Sequence, residues 1–376
     1  MKKTIILVSV NTSNYGAEKS LVVLAKTINK NNNYKALVII PKEDLIIDLL
    51  KGADIEFLVI PFQGNVNHGR GLKIIRGSVK FIINSCLALY LSFRIRSKLK
   101  NISVKLVHSN TITSDFGAQL AVFLSVPHIW HIREMAKITF NFDFELGNKY
   151  IKKVIKNSKK VICNSQTTHD YYASLIKHND MQVVHNGLAD MNQVKRFDSI
   201  HSPFKIILIG RLTPEKNQQI AIEACNKLFL MGKTNFIMDI WGDGPSYTGL
   251  KNLIDSKNLS KNINLKGYGK NIPVHNYCVG LSCTEFESFG RVTVEYMLGG
   301  LPVIGVKSGA NREIISEKTG FLYSKDNYDE FAEKLSKLYD DYKLCETLGS
   351  NGRKEALKKF SEKLYVDKIM EIYEQS

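Results

Sequence analysis

A chain of 376 residues with 44% hydrophobic and 23% charged residues has the composition of a globular protein, which excludes a disordered chain. A single core stops growing near about 250–300 residues, so two domains are expected. The net charge of +16 is uneven: residues 1–198 carry 28 Lys and Arg against 14 Asp and Glu, a net of +14, and residues 199–376 carry 24 against 22, a net of +2.

Such asymmetry points to an anionic partner for the first half. Six cysteines (Cys86, Cys163, Cys225, Cys278, Cys283, Cys345) form no CxxC pair, which favours reduced thiols and disfavours a structural zinc site. The apolar run Thr4 to Val10 is short and meets Asn11 without a small-residue cleavage site, so no secretory leader is expected. No uninterrupted apolar run reaches the roughly 20 residues that span a bilayer.

In chain order, Thr4 to Val10 reads as a buried strand, and a loop carrying Gly16 leads into helix Leu21 to Ile28. Strands at Ala36 to Ile40 and Ile55 to Ile60 flank helical Leu45 to Leu50. Residues 57 to 114 then contain no acid. Within them Arg70, Lys73, Arg76 and Lys80 precede the apolar run Phe81 to Phe93, and Arg94, Arg96, Lys98 and Lys100 follow it. This pattern suits an amphipathic helix on an anionic membrane surface, or a long core helix with basic ends. Nucleic acid is disfavoured, because no zinc-finger or RNA-recognition signature accompanies the basic residues.

Strand Val104 to His108, helix Phe116 to Leu124 and strand Val126 to His131 follow, then strands Lys160 to Cys163 and Gln182 to His185 around helix Gln166 to Ile176. Polar Phe197 to Pro203 reads as a linker. The pattern restarts with strand Phe204 to Ile209, a Gly210-Arg211-Leu212 loop and helix Asn217 to Met231, entered through Pro214. Strands Phe236 to Trp241, Ile263 to Lys266, Cys278 to Ser282 and Pro302 to Val306 come next, and helical stretches near 327–341, 343–359 and 361–374 close the chain. Strands alternating with helices predict an α/β protein with two parallel sheets, each placing ligands at the carboxyl ends of its strands.

Several residues at such strand ends suit chemistry. In the stretch 284–306, Glu287 and Glu295 flank Ser288, Phe289 and Gly290 at a helix start, where free N–H groups and the positive dipole end suit a phosphate. Glu295, about one turn in, suits ribose hydroxyls. Alternatively, Glu287 is a capping residue and Glu295 a solvated one. Arg211 and Lys216 share one loop, which suits neutralisation of a diphosphate leaving group. His131 ends a strand beside Arg133 and Glu134, as a crevice residue or a hydrogen-bonded structural histidine. Gly16 permits close backbone approach, but no GxGxxG is present.

The segments GAEKSLVVLA, HIWHIRE, VVHNGL, IGRLTPEKNQQIAIEA, IWGDGP and ESFGRVTVEYMLGGLPVIGVKSGANREII resemble, in order and spacing, the retaining GT-B glycosyltransferases of the "glycosyl transferases group 1" family, which bacteria use to build surface polysaccharides. The resemblance covers nearly the whole chain. It implies a GT-B fold, with two doubly wound Rossmann-like domains facing across a cleft. Residues 1–198 would bind the acceptor and 199–360 the nucleotide-sugar, with helix 361–376 packing back on the first domain. It implies that Gly16 lies near donor phosphates, that His131 contacts the donor sugar, and that Arg211 and Lys216 hold the pyrophosphate. Glu287 would contact the transferred sugar, Ser288, Phe289, Gly290 and Arg291 would form the helix start at sugar and phosphate, and Glu295 would bind ribose. His131, Glu287, Arg211 and Lys216 are thus the expected catalytic set.

The resemblance implies no bound metal or other cofactor. The expected donor is a UDP-sugar in preference to a GDP-sugar, and the expected acceptor is lipid-linked or a saccharide. The expected location is cytoplasmic and peripheral on the inner face of the cell membrane, with the basic segment on the anionic surface. Rival readings are a nucleotide-sugar 2-epimerase of the same fold and a non-catalytic nucleotide-binding scaffold. Three departures concern loop shape: Tyr15 stands where many members have glycine, Cys283-Thr284 where Pro-Ser is common, and Tyr296 where a small residue is usual.

Overall fold

The computed structural model describes residues 2–10, 16–67, 73–98, 103–140, 143–191 and 203–376. Tyr15, Arg70, Lys100 and most of the expected linker lie outside the described residues, as do the side chains of Lys73, Arg96 and Lys98. The chain forms two compact units, residues 1–187 with 362–376, and residues 188–361.

The first unit has a seven-stranded sheet of order β3-β2-β1-β5-β6-β8-β9. Its strands are β1 (Lys3–Val8), β2 (Tyr34–Ile40), β3 (Phe57–Val59), β5 (Val104–Ser109), β6 (His128–Ile132), β8 (Lys160–Cys163) and β9 (Met181–Val183), all paired in parallel. Two short strands, β4 (Val66–Asn67) and β7 (Asp143–Phe144), pair antiparallel beside it. Parallel neighbours need crossovers, supplied by helices α1 (Gly16–Lys30), α2 (Ile46–Lys51), α3 (Lys73–Lys98), α4 (Phe116–Leu124), α5 (Ala136–Phe140), α6 (Gly147–Lys156) and α7 (Gln166–Leu175). Helices on both faces explain why β1 is an unbroken apolar run. Ile5 and Leu7 enter the cluster with α1 and α2, while Ile6 and Val8 enter the one with α3 and α4.

The second unit has a parallel sheet of order β12-β11-β10-β13-β14-β15. The strands are β10 (Phe204–Ile209), β11 (Phe236–Trp241), β12 (Ile263–Gly267), β13 (Val279–Ser282), β14 (Val303–Val306) and β15 (Gly320–Tyr323). Its helices are α8 (Gln218–Leu230), α9 (Tyr247–Ser256), α10 (Arg291–Leu298), α11 (Asn311–Ile314), α12 (Tyr328–Asp340) and α13 (Tyr342–Lys359). The last helix, α14 (Glu362–Glu374), belongs to the first unit, where Tyr365, Val366, Ile369, Ile372 and Tyr373 join the apolar cluster of α1 and α2.

The units divide at 187/188, earlier than the expected 198/199. Leu188 is buried in a second-unit cluster and its amide donates to the Phe360 carbonyl, 2.8 Å away, which commits residue 188 to the second core. Gly187, on the other side, sits so close to α14 that a Cβ would lie 2.7 Å from Glu362 Cα and Tyr365 Cβ.

The basic segment is one helix, α3, with two different faces. Ala88, Leu91 and Ile95 pack on the sheet, and buried Asn84 bonds both backbone groups of Gln63. Arg76 and Lys80 do not project freely: both reach the buried carboxylate of Glu145, at 3.6 and 2.9 Å. The opposite face is apolar and exposed, through Ile75, Val79, Ile82, Leu89 and Phe93, the last 67% accessible. By length and composition Ile74–Ile95 qualifies to cross a membrane, with a mean hydropathy of 1.4. The side bound to the sheet and to Glu145 makes it a helix that lies on the unit.

Candidate functional site

In the second unit the expected donor residues gather at the carboxyl ends of β10 and β13, around a small cavity of about 60 Å³ lined by Gly210, Lys216, Gln218, Thr284, Glu287 and Gly290 among others. Lys216 ends a short 3-10 turn, Pro214–Lys216, directly after β10. Its Nζ lies 3.2 Å from Glu287 Oε2, although 71 residues separate them. Burial alone would raise the Glu287 pKa. The Lys216 charge and hydrogen bond, with backbone N–H groups of Gly290 and Phe289, outweigh burial and hold the carboxyl below its ordinary value. An anion therefore already sits at the start of α10, and here it is the chain's own carboxylate.

Gly290 begins that helix at φ 79°, a left-handed conformation in which a Cβ would also meet Ile314 Cδ1 at 3.0 Å. Ser288 and Phe289 are buried, and Phe289 packs edge-on against Phe360. Arg291 and Glu295 are not separate ligand groups in this structure: Arg291 Nε donates to Glu295 Oε1 at 2.9 Å, an i,i+4 pair at partly exposed positions. Arg211 is exposed, and Gln218 Nε2 donates to its carbonyl at 2.8 Å, tying the loop to the start of α8.

Three supports of this site escape sequence reasoning. Gly242 (φ 144°) passes so near the Arg211 loop that a Cβ would lie 2.0 Å from the Gly210 carbonyl oxygen. Amides of Gly210 and Leu212 bond the carbonyls of Trp241 and Asp243, at 2.9 Å each. Gly309 (φ 52°) likewise lets the segment after β14 pass Glu287, where a Cβ would lie 2.8 Å from its backbone N and O, and the Ala310 amide donates to the Glu287 carbonyl. Tyr296, the departure beside Glu295, is fully buried. Its hydroxyl accepts from the Ile209 amide at 2.7 Å, and Gly280 leaves room for its ring. Tyr296 thus pins the end of the strand that delivers Arg211. The visible signal was glycine placed at strand ends, but nothing local says which backbone each one must approach.

In the first unit Gly16 opens α1 and its carbonyl accepts from Ser20 Oγ. His131 is fully buried, edge-on to His108 at 5.3 Å. Arg133 Nη2 lies 3.3 Å from His131 Nδ1 and donates to Tyr365 Oη at 2.9 Å, while His108 Nδ1 meets Tyr373 Oη at 2.8 Å. His131 thus sits in a strand-end network closed by α14, with its Nε2 buried and unpartnered among the described residues.

Burial pushes His128 down to about 3, and burial, with Arg133 adding, holds His108 and His131 well below their usual value of 6.5. A base depressed by folding binds fewer protons than the unfolded chain between the two values, so stability falls as pH drops from 6.5 toward 3. For His128 alone the loss is about 2 kcal/mol at pH 5. Calorimetry is expected to show the first unit melting earlier at pH 5 than at pH 7.5, with a smaller difference in His128→Gln. A melting temperature independent of pH over that range would overturn the neutral-histidine assignment.

Two Rossmann-like units, with cations and a glycine-led helix start at strand ends in one of them, define a two-unit α/β protein with parallel sheets. Residues 191–355 match the family model of the Glycosyl transferases group 1, and residues 47–190 that of Glycosyltransferase Family 4. The chain belongs to the group 1 glycosyltransferases, and its fold is of the GT-B type. It is 27% identical over 341 residues to an uncharacterized glycosyltransferase of Methanocaldococcus jannaschii, covering 86% of this chain and 90% of that protein. It is 25% identical over 246 residues to the poly(ribitol-phosphate) alpha-N-acetylglucosaminyltransferase of Staphylococcus aureus, covering 62% of this chain but 48% of that one. Among solved structures, Anabaena HepE in complex with UDP aligns over 100% of both chains with a TM-score of 0.80 at 21% identity.

Proposed function

We propose that this glycosyltransferase moves a sugar from a UDP-sugar to a lipid-linked or saccharide acceptor in surface polysaccharide synthesis, retaining anomeric configuration, with no bound metal or other cofactor. The reading rests on the Lys216–Glu287 pair beside the helix start at Gly290. A donor diphosphate would compete with the Glu287 carboxylate for Lys216 and for the N–H groups of Phe289 and Gly290. Arg211, exposed on the same loop, would complete the clamp and stabilise the departing diphosphate. Glu287, released from Lys216, would accept hydrogen bonds from the transferred sugar. Retaining glycosidases use a close carboxylate pair; no carboxylate here is assigned as nucleophile, so the transfer is read as front-face. UDP is favoured over GDP, in keeping with the UDP bound to the HepE neighbour. The site of action is read as the cytoplasmic face of the cell membrane, with the outer face of α3 as the contact.

The test is a panel of UDP- and GDP-sugars with saccharide and lipid-linked acceptors, the product anomer being read by NMR. Donor consumption is expected only with an acceptor present. Release of free nucleotide and a changed sugar without acceptor would assign the epimerase chemistry. In the same assay Glu295→Ala is expected to raise donor KM about tenfold with kcat nearly unchanged, the loss of a hydrogen bond to a charged group. Glu287→Gln is expected to lower kcat about a hundredfold. Indistinguishable profiles for the two variants would remove this separation of roles.

A further inference from the structure

One cavity in the first unit is not at the strand ends where ligands are expected. It has a volume of about 640 Å³, within the range of small-molecule sites, and lies between α3, α4 and α6. Its wall includes Val126, Pro127 and His128, which lead into β6, so it is at the amino end of the sheet. His131 and Arg133 sit at the carboxyl end of the same strand. The cavity is therefore separate from the strand-end network of His131.

Its walls are mostly apolar: Phe81 from α3, Ala118 and Val122 from α4, Val154 from α6, with Phe123 and Val126. Phe81 and Tyr150 meet edge-on at 5.8 Å and close one side. Among the polar residues of the wall, His128 is satisfied by Ser109 Oγ at 2.9 Å and Ser158 Oγ at 3.0 Å and is held neutral by burial. It offers a ligand no charge.

Two features say what would enter. First, the cavity runs into the exposed apolar face of α3. Ser85 lines the cavity, and Ile82 and Leu89, three residues before and four after it, are its neighbours on the helix surface, both more than half exposed. Val122, 75% exposed, continues the apolar surface from α4. Second, the surroundings are basic without acidic relief. Residues 146–169 contain no acid and six lysines, and Lys149, Lys153, Lys156 and Lys159 are exposed along α6 and the turn after it. The carboxylates nearby are engaged, Glu145 with Lys80, Asp115 with Tyr150 and Asp180 with Lys160. An apolar groove rimmed by unopposed lysines matches an anionic lipid: hydrocarbon within, headgroup at the rim.

We propose that the cavity between α3, α4 and α6 takes a hydrocarbon chain of an anionic membrane lipid, anchoring the first unit by a drawn-out chain as well as by the α3 face. The proposal rests on the membrane contact read for α3. It adds a site that surface adsorption does not require.

The full chain is incubated with phosphatidylglycerol vesicles containing a phosphatidylglycerol analogue with a diazirine in its acyl chain, irradiated, digested and mapped by mass spectrometry. Sedimentation with the vesicles is measured in parallel. Adducts are expected on the peptides carrying Val122 to Val126 and Val154 to Lys159, as well as on α3. Val122→Asp places a carboxylate at the exposed mouth, where folding is not at stake. It is expected to lower the cavity adducts roughly tenfold while sedimentation persists, because charge is excluded from an apolar pocket. Adducts confined to α3, with sedimentation intact, would overturn the cavity proposal and leave the membrane reading standing. Absence of sedimentation at low salt would overturn both. A chain that is dimeric without lipid and unlabelled on α3 would assign that face to a second copy and overturn the proposal.

Discussion

Lys216→Ala is expected to lower kcat/KM by about a hundred- to a thousandfold, the usual effect of removing one preorganised group that stabilises developing negative charge. Folding is expected to persist, because the Lys216–Glu287 pair is partly exposed on both sides and such pairs contribute at most about 1 kcal/mol. The melting temperature should move by no more than about 4 °C. The loss has a second signature. With Lys216 removed, the burial that favours a protonated Glu287 is less opposed, so its pKa rises and the acid limb of the pH–rate profile moves to higher pH. Arg211→Ala should lose activity in the same direction but leave that limb in place, since Arg211 is exposed and Glu287 takes its hydrogen bond from Lys216. Unchanged turnover in either variant would remove that residue from the clamp.

Gly242→Ala is expected to destabilise the second unit by about 3 kcal/mol or more, because a Cβ there adds strain at φ 144° to a 2.0 Å approach to the Gly210 carbonyl oxygen. For a unit of this size the melting temperature falls by about 6–12 °C. Donor affinity should fall with it, since the displaced segment carries Arg211. Gly249→Ala is the control. It lies in the first turn of α9 with nothing within 4 Å of its Cβ, and it should stabilise by up to about 1 kcal/mol. Melting of Gly242→Ala at the wild-type temperature would mean that the two loops are not held together as described.

The sheet strands were largely legible because parallel strands buried on both faces are short, β-branched apolar runs. Phe204–Ile209 and Phe236–Trp241 were read with the bounds they have in the structure. α6 was missed because only Ile151 and Ile155 are fully buried in a segment otherwise rich in lysine. β15, four residues beginning at Gly320, has strand-forming Phe321 and Tyr323 but is too short to show a period of its own. It is a strand because Gly320 has no Cβ to strike Val303, whose carbonyl oxygen would lie 2.0 Å away. For α3 the composition admitted a core helix or a surface helix. The structure shows one face of each kind, and that choice depends on what packs against it.

The donor site divides in the same way. That Glu287, Gly290 and Glu295 share a loop and helix start, and that Arg211 and Lys216 share a loop after a strand, follows from spacing alone, since residues so near in sequence cannot be far apart in space. Which of them meet was decided by the register of β10 beside β13, which sets the loops after those strands together and brings Lys216 to Glu287. The same sheet brings Gly242 against Gly210 through β11 and gives Tyr296 its space over Gly280. Periodicity reports which face of an element is buried. Contacts between loops at neighbouring strand ends depend on strand order, which the local sequence does not encode.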